Sequence, residues 1–70
     1  MASILIYNLR PTVSVRDLID LGRMYGPVIN ISLHRESAEI MFINEEDAFD
    51  ALELNGQYLD GWPLLVTLGN

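Results

Sequence analysis

Seventy residues with a formal net charge of -6, no cysteine and 50% hydrophobic residues describe one small domain. Such a chain buries about 60% of the surface its unfolded form exposes, which leaves little room for an enclosed active site and favours a binding or adaptor module over an enzyme. The absence of cysteine excludes a disulfide framework and a thiolate zinc site, and no apolar run approaches the ~18 residues of a membrane span.

From Ser3 to Asn8 a short apolar, β-branched run reads as a strand, closed by Arg10 and Pro11 because proline cannot continue a ladder. Ser14 and Asp17 stand at the spacing of a capping box, and Leu18, Leu21 and Tyr25 follow on one helical face. Gly22 inside this helix costs about 1 kcal/mol relative to alanine and predicts close approach to a neighbour. Gly26-Pro27 ends the helix. Val28 to His34 alternates as a second strand, and Arg35-Glu36 is a hairpin turn into a third, Ala38 to Ile43. Asn44 is the expected N-cap of a second helix, with Glu45, Glu46 and Asp47 in its first turn, where the macrodipole favours negative charge. Ala48, Ala51 and Leu52 form its buried stripe. Asn55-Gly56 ends that helix, Asp60-Gly61 makes one more turn, and Leu64 to Leu68 is the last strand.

The order is β-α-β-β-α-β over a single domain, residues 1–70. This is the α+β, ferredoxin-like arrangement: a four-stranded antiparallel sheet with both helices on one face and the other face open. Ile4, Ile6, Ala38, Ile40, Phe42, Leu64 and Val66 are needed for the core, so strand alternation sends Leu5, Tyr7, Glu39, Met41 and Leu65 to the open face.

On these residues the chain resembles an RNA recognition motif (RRM) over essentially its full length. The first-strand hexamer of that family stands here as Ile4-Leu5-Ile6-Tyr7-Asn8-Leu9, and the third-strand octamer as Arg35-Glu36-Ser37-Ala38-Glu39-Ile40-Met41-Phe42. Tyr25-Gly26-Pro27-Val28 and Leu54-Asn55-Gly56 match further landmarks. Leu59-Asp60-Gly61-Trp62-Pro63-Leu64 looks most like the end of the domain in the Aly/REF group of mRNA-export adaptors. The resemblance implies RNA binding, a nuclear location and a role in mRNA processing or export. It also implies three stacking positions on the open face, and these hold Leu5, Ser37 and Glu39, none of them a ring.

Two functions follow as expectations. In one, RNA is held weakly at the sheet edge by Tyr7, Asn8, Arg10 and Arg35. Basic segments flanking the domain then supply the electrostatics, because four arginines face ten carboxylates. In the other, the RRM fold is a protein-interaction module. Leu5, Tyr7, Met41 and Leu65 make an apolar patch around Glu39 for a partner or a second copy, with Phe49 and Trp62 as further contact points. Plainer packing roles stay open beside these. Tyr7 reads as a displaced stacking platform or as a ring packed on its sheet neighbours, and Phe49 as a contact point or the edge of the core. Trp62 reads as a partner anchor or as a ring folded over the helix end. Gln57-Tyr58-Leu59 lacks the Arg-x-Phe turn of the RRM variant that binds tryptophan-containing peptides. His34 is a solvated strand-end residue with no second histidine or cysteine to complete a metal site. No residue pattern points to a catalytic site, a cofactor or a membrane.

Overall fold

The computed structural model describes residues 1–69. In chain order the elements are β1 (Ala2–Tyr7), α1 (Val15–Arg23), β2 (Val28–Leu33), β3 (Ser37–Phe42), α2 (Glu45–Asp50), a 3-10 turn (Ala51–Leu54), β4 (Tyr58–Leu59), β5 (Trp62–Pro63) and β6 (Leu65–Leu68). The main sheet has the order β2-β3-β1-β6, with each neighbouring pair antiparallel. This is the ferredoxin-like arrangement, supplemented by the small β4–β5 hairpin. Every residue expected in the core is buried: Ile4, Ile6, Ala38, Ile40, Phe42, Leu64 and Val66, joined by Leu9, Leu18, Ala48, Ala51 and Leu54.

The capping box forms. The Asp17 N–H donates to Ser14 Oγ at 3.2 Å and the Ser14 N–H donates to Asp17 Oδ2 at 2.9 Å. α1 ends at Arg23, short of Gly26-Pro27, because the Met24 and Tyr25 N–H groups turn back to the carbonyls of Leu21 and Gly22 in tightened bonds. Beyond it, the Tyr25 hydroxyl donates to Glu53 Oε1 at 2.8 Å and joins this end of α1 to the 3-10 turn. Burial, and then the Glu53 carboxylate, push the Tyr25 pKa up to about 12.

Three details differ from the sequence reading. Asn44 has the backbone of an N-cap but no side-chain cap bond; its amide donates instead to Asp47 Oδ2 at 3.2 Å. The Asp47 carboxylate lies against Gly26, where any Cβ would collide with it. The second helix then changes to a 3-10 turn, in which residues three apart eclipse. Ala48, Ala51 and Leu54 therefore line the core, and Leu52 is only half-buried. Finally, Leu64 does not start the last strand. Its N–H donates to Gln57 O at 2.7 Å and its carbonyl accepts from the Gly56 N–H at 2.8 Å, so pairing with β1 begins at Leu65.

Gly22 lies where α1 crosses β2 and β3. A Cβ there would stand 2.9 Å from Val28 Cγ2 and 3.2 Å from Ile40 Cγ2. Gly22→Leu should destabilise the fold by overpacking, by about 1–3 kcal/mol. A urea denaturation curve measures this directly, and an unchanged midpoint would contradict the close approach.

Candidate nucleic-acid interface

The face away from the helices can be written as rows across the strands. Met41 stands opposite Ser3, Glu39 opposite Leu5, and Ser37 opposite Tyr7. On the other side of β1, Thr67 stands opposite Leu5 and Leu65 opposite Tyr7. β2 adds Asn30 beside Met41 and Ser32 beside Glu39. The five residues expected on this face are all there.

The middle of the face is a carboxylate. Ser3 is fully buried, at 0% exposure, and its hydroxyl donates to Glu39 Oε2 at 2.6 Å. That bond is charge-assisted, the stronger class of side-chain hydrogen bond. Gly69 continues the edge of β6, its N–H donating to Ser3 O at 2.8 Å, and a Cβ on it would collide with Ser3 Oγ. The glycine leaves room for the pair. Leu5 and Met41 flank this carboxylate, both half-buried. Sequence reasoning placed Glu39 on the face but missed Ser3. The alternation of Ser3 with Leu5 and Tyr7 was the available signal.

The end of β1 has a different chemistry. Tyr7 is 41% exposed and lies beside Leu65, at 54%. Arg35 is exposed in the turn between β2 and β3, which the Leu9 N–H joins to the end of β1 through Glu36 O at 3.0 Å. Asn8 has φ 66, and its amide donates to Pro63 O at 2.7 Å. Arg10 donates through Nη1 to Asp60 O at 3.0 Å, and its guanidinium carbon lies 5.4 Å from the centroid of the Trp62 ring. Thr12 Oγ1 donates to Asp60 Oδ2 at 2.9 Å. Asn8, Arg10 and Thr12 thus clasp the β4–β5 turn, where Asp60 has φ 52 and Gly61 φ 87. Sequence reasoning missed the roles of Thr12 and Asp60, since their partners lie far along the chain.

Tyr7, Asn8, Arg10, Arg35 and Trp62 therefore gather at one end of the sheet. The Trp62 ring is covered on one side by the Arg10 guanidinium. One placement corrects the sequence reading. Phe49 is exposed on α2, so it is not the edge of the core, and its reading as an exposed contact point stays open. His34 is exposed, its N–H closing the hairpin onto Ser37 O. Among the described residues no three acidic or histidine side chains are grouped to hold a metal ion. Among the same residues no helix is long and apolar enough to cross a membrane.

The family model for the RNA recognition motif matches residues 4–65. This chain belongs to the RRM family. Solved RRM structures agree with its fold. The crystal structure of RNA Binding Protein PG1 superposes with a TM-score of 0.94 at 27% identity, covering 99% of this chain and 94% of that one. RRM3 of Pes4 does so with 0.94 at 29%, covering 100% and 93%. The RRM of Rna15, solved with bound RNA (GU), has the same fold at 23% identity and a TM-score of 0.87, covering 93% and 79%. No curated protein sequence matches this chain. RRM domains are generally RNA-binding modules rather than enzymes.

The clasp yields a test of its own geometry. Asn8→Ala removes the bond to Pro63 and keeps a Cβ in the left-handed region without the asparagine side chain's local hydrogen bonding, whereas Asn8→Gly removes the bond and relieves the Cβ. The alanine variant should therefore be the less stable of the two, by about 1 kcal/mol. Thermal or urea unfolding of the two side by side reads the difference; equal stability would show that the φ of Asn8 carries no strain.

Proposed function

We propose that this RRM binds single-stranded RNA weakly at the end of β1, and that it serves as the RNA-contacting domain of a nuclear mRNA-processing or export adaptor. The observation that carries the RNA reading is the contrast within one sheet face. The centre holds the Ser3–Glu39 pair between aliphatic side chains, which offers a base no ring and a phosphate only repulsion. At the edge, Tyr7 keeps an open ring and Arg35 a free approach. Stacking on an aromatic ring contributes about 1–3 kcal/mol per base, so a single displaced tyrosine supports low affinity only. The adaptor role is supported by the resemblance of Leu59–Leu64 to the Aly/REF group. The net charge of -6 works against phosphate attraction by the domain itself, so this reading requires basic segments beside it to supply that attraction.

The isolated domain should bind labelled single-stranded RNA no tighter than high micromolar at physiological salt, and Tyr7→Ala should weaken that binding further, by about five-fold or more. Titrations at two salt concentrations test this. A submicromolar constant that survives the higher salt would overturn it.

A protein-interaction module is the second reading, favoured by the contiguity of Tyr7, Leu5 and Leu65 with Met41 across the β1, β3 and β6 strands. Aliphatic burial, at about 25 cal/mol per Å², stabilises contact with a protein surface better than with a polyanion. On this reading Leu5→Asp or Met41→Asp leaves the fold intact and abolishes a protein or self-association contact, while RNA affinity changes little. Sedimentation and chemical-shift mapping distinguish the two. RNA-induced shifts centred on Leu5, Ser37 and Glu39 would defeat both readings, because the central face would then be the stacking surface.

A further inference from the structure

The sequence reading set Arg10 at the RNA edge and Trp62 among the protein contacts; the structure joins the two as one unit at the β4–β5 turn. Trp62 is 37% exposed, and the Arg10 guanidinium lies over its ring. The stack is held from three sides. Arg10 is fixed by Asp60 O, Thr12 fixes the Asp60 carboxylate, and Asn8 ties Pro63 to the end of β1. A guanidinium so anchored has lost most of its rotamer freedom before any ligand arrives, which lowers the cost of using it as a binding surface. Arg10 itself remains exposed, and guanidinium planes and indole rings are both surfaces on which unpaired bases stack.

We infer that Arg10 and Trp62 form a base-stacking platform for single-stranded RNA, displaced from the sheet onto the clasped β4–β5 turn. The inference rests on the RNA-binding reading and extends it by a second nucleotide. Asn8 directly follows Tyr7 in the chain and bonds to Pro63, which directly follows Trp62. The backbones that carry the Tyr7 ring and the Arg10–Trp62 stack are thus tied together at the end of β1. The ligand recognised is a base rather than a phosphate. The guanidinium already donates to a carbonyl, and the Asp60 carboxylate stands in the same turn, so the local charge does not favour a phosphate. The planar π-surface remains.

The chain has one tryptophan, so its fluorescence reports this site alone. The test titrates the domain with unlabelled octauridylate while following Trp62 emission, and separately with fluorescein-labelled octauridylate while following anisotropy. Emission should be quenched with the midpoint that anisotropy gives. Trp62→Leu should weaken binding about ten-fold, and Trp62→Phe, which keeps a ring, should largely retain it. Arg10→Lys, which keeps the charge but not the plane, should weaken it several-fold. RNA binding with unquenched Trp62 emission in the unmodified domain would overturn the platform and leave the RNA reading standing. No anisotropy change up to millimolar domain would overturn the RNA reading, and the platform with it. The quenching needs no variant, so it decides the matter even where a substitution unfolds the turn.

Discussion

β1 and β3 lie side by side at the centre of the sheet, and the pairing of Leu5 with Glu39 sets both faces of the molecule. Side chains alternate with a strict period of two along each strand, so this one register sends Ile4, Ile6, Ala38, Ile40 and Phe42 under the helices. A slip by one residue would expose that set and press Glu39 into the core. Burial of a large aliphatic or aromatic side chain stabilises by about 1.5–3 kcal/mol, and an unpaired buried carboxylate costs more than any one of them returns. The register is therefore not negotiable. It follows that the chemistry of the open face is dictated by whatever the core does not take. In this chain that remainder is aliphatic and acidic at the centre, and aromatic only at the end.

The end of β1 depends on the same register in a less direct way. Tyr7 is the last paired residue of the strand, and Asn8 breaks from the ladder by adopting a left-handed backbone. That break turns the chain so that Leu9 is buried while Arg10 and Thr12 reach the β4–β5 turn. Polar side chains that a reader of RRM sequences expects to meet RNA are here used partly inside the protein. The outcome is a stiff edge rather than a set of free cationic arms, which agrees with a domain whose four arginines are outnumbered by its ten carboxylates.

The fold was legible in the sequence wherever a local rule had no distant competitor. Alternation placed β1 and β3, the Ser14–Asp17 spacing marked the start of α1, and a glycine inside a helical pattern marked the crossing at Val28 and Ile40. It was not legible where a residue answers to a partner far along the chain. Asn44 reads as a cap, yet its amide turns to an Asp47 already drawn toward Gly26. Leu64 reads as strand because it is aliphatic, yet its backbone is taken by Gly56 and Gln57. The candidate site divides in the same manner. Tyr7 and Glu39 followed from strand period alone, while the clasp around Trp62 joins residues about fifty positions apart, and no local pattern announces it.

The bond from the Gly69 N–H to Ser3 O has a practical consequence for handling the domain. It places the beginning of β1 and the last described residues of the chain at the same pole of the sheet, and Tyr7 lies four strand positions away, about 13 Å along β1. A tether, fluorophore or surface linkage at either end thus holds the molecule by one pole and presents the tyrosine–tryptophan pole to solution. Any segment joined to either end would have to run back along the length of β1 before it could share a nucleic acid strand with that pole, so linker reach becomes the quantity to vary in longer chains.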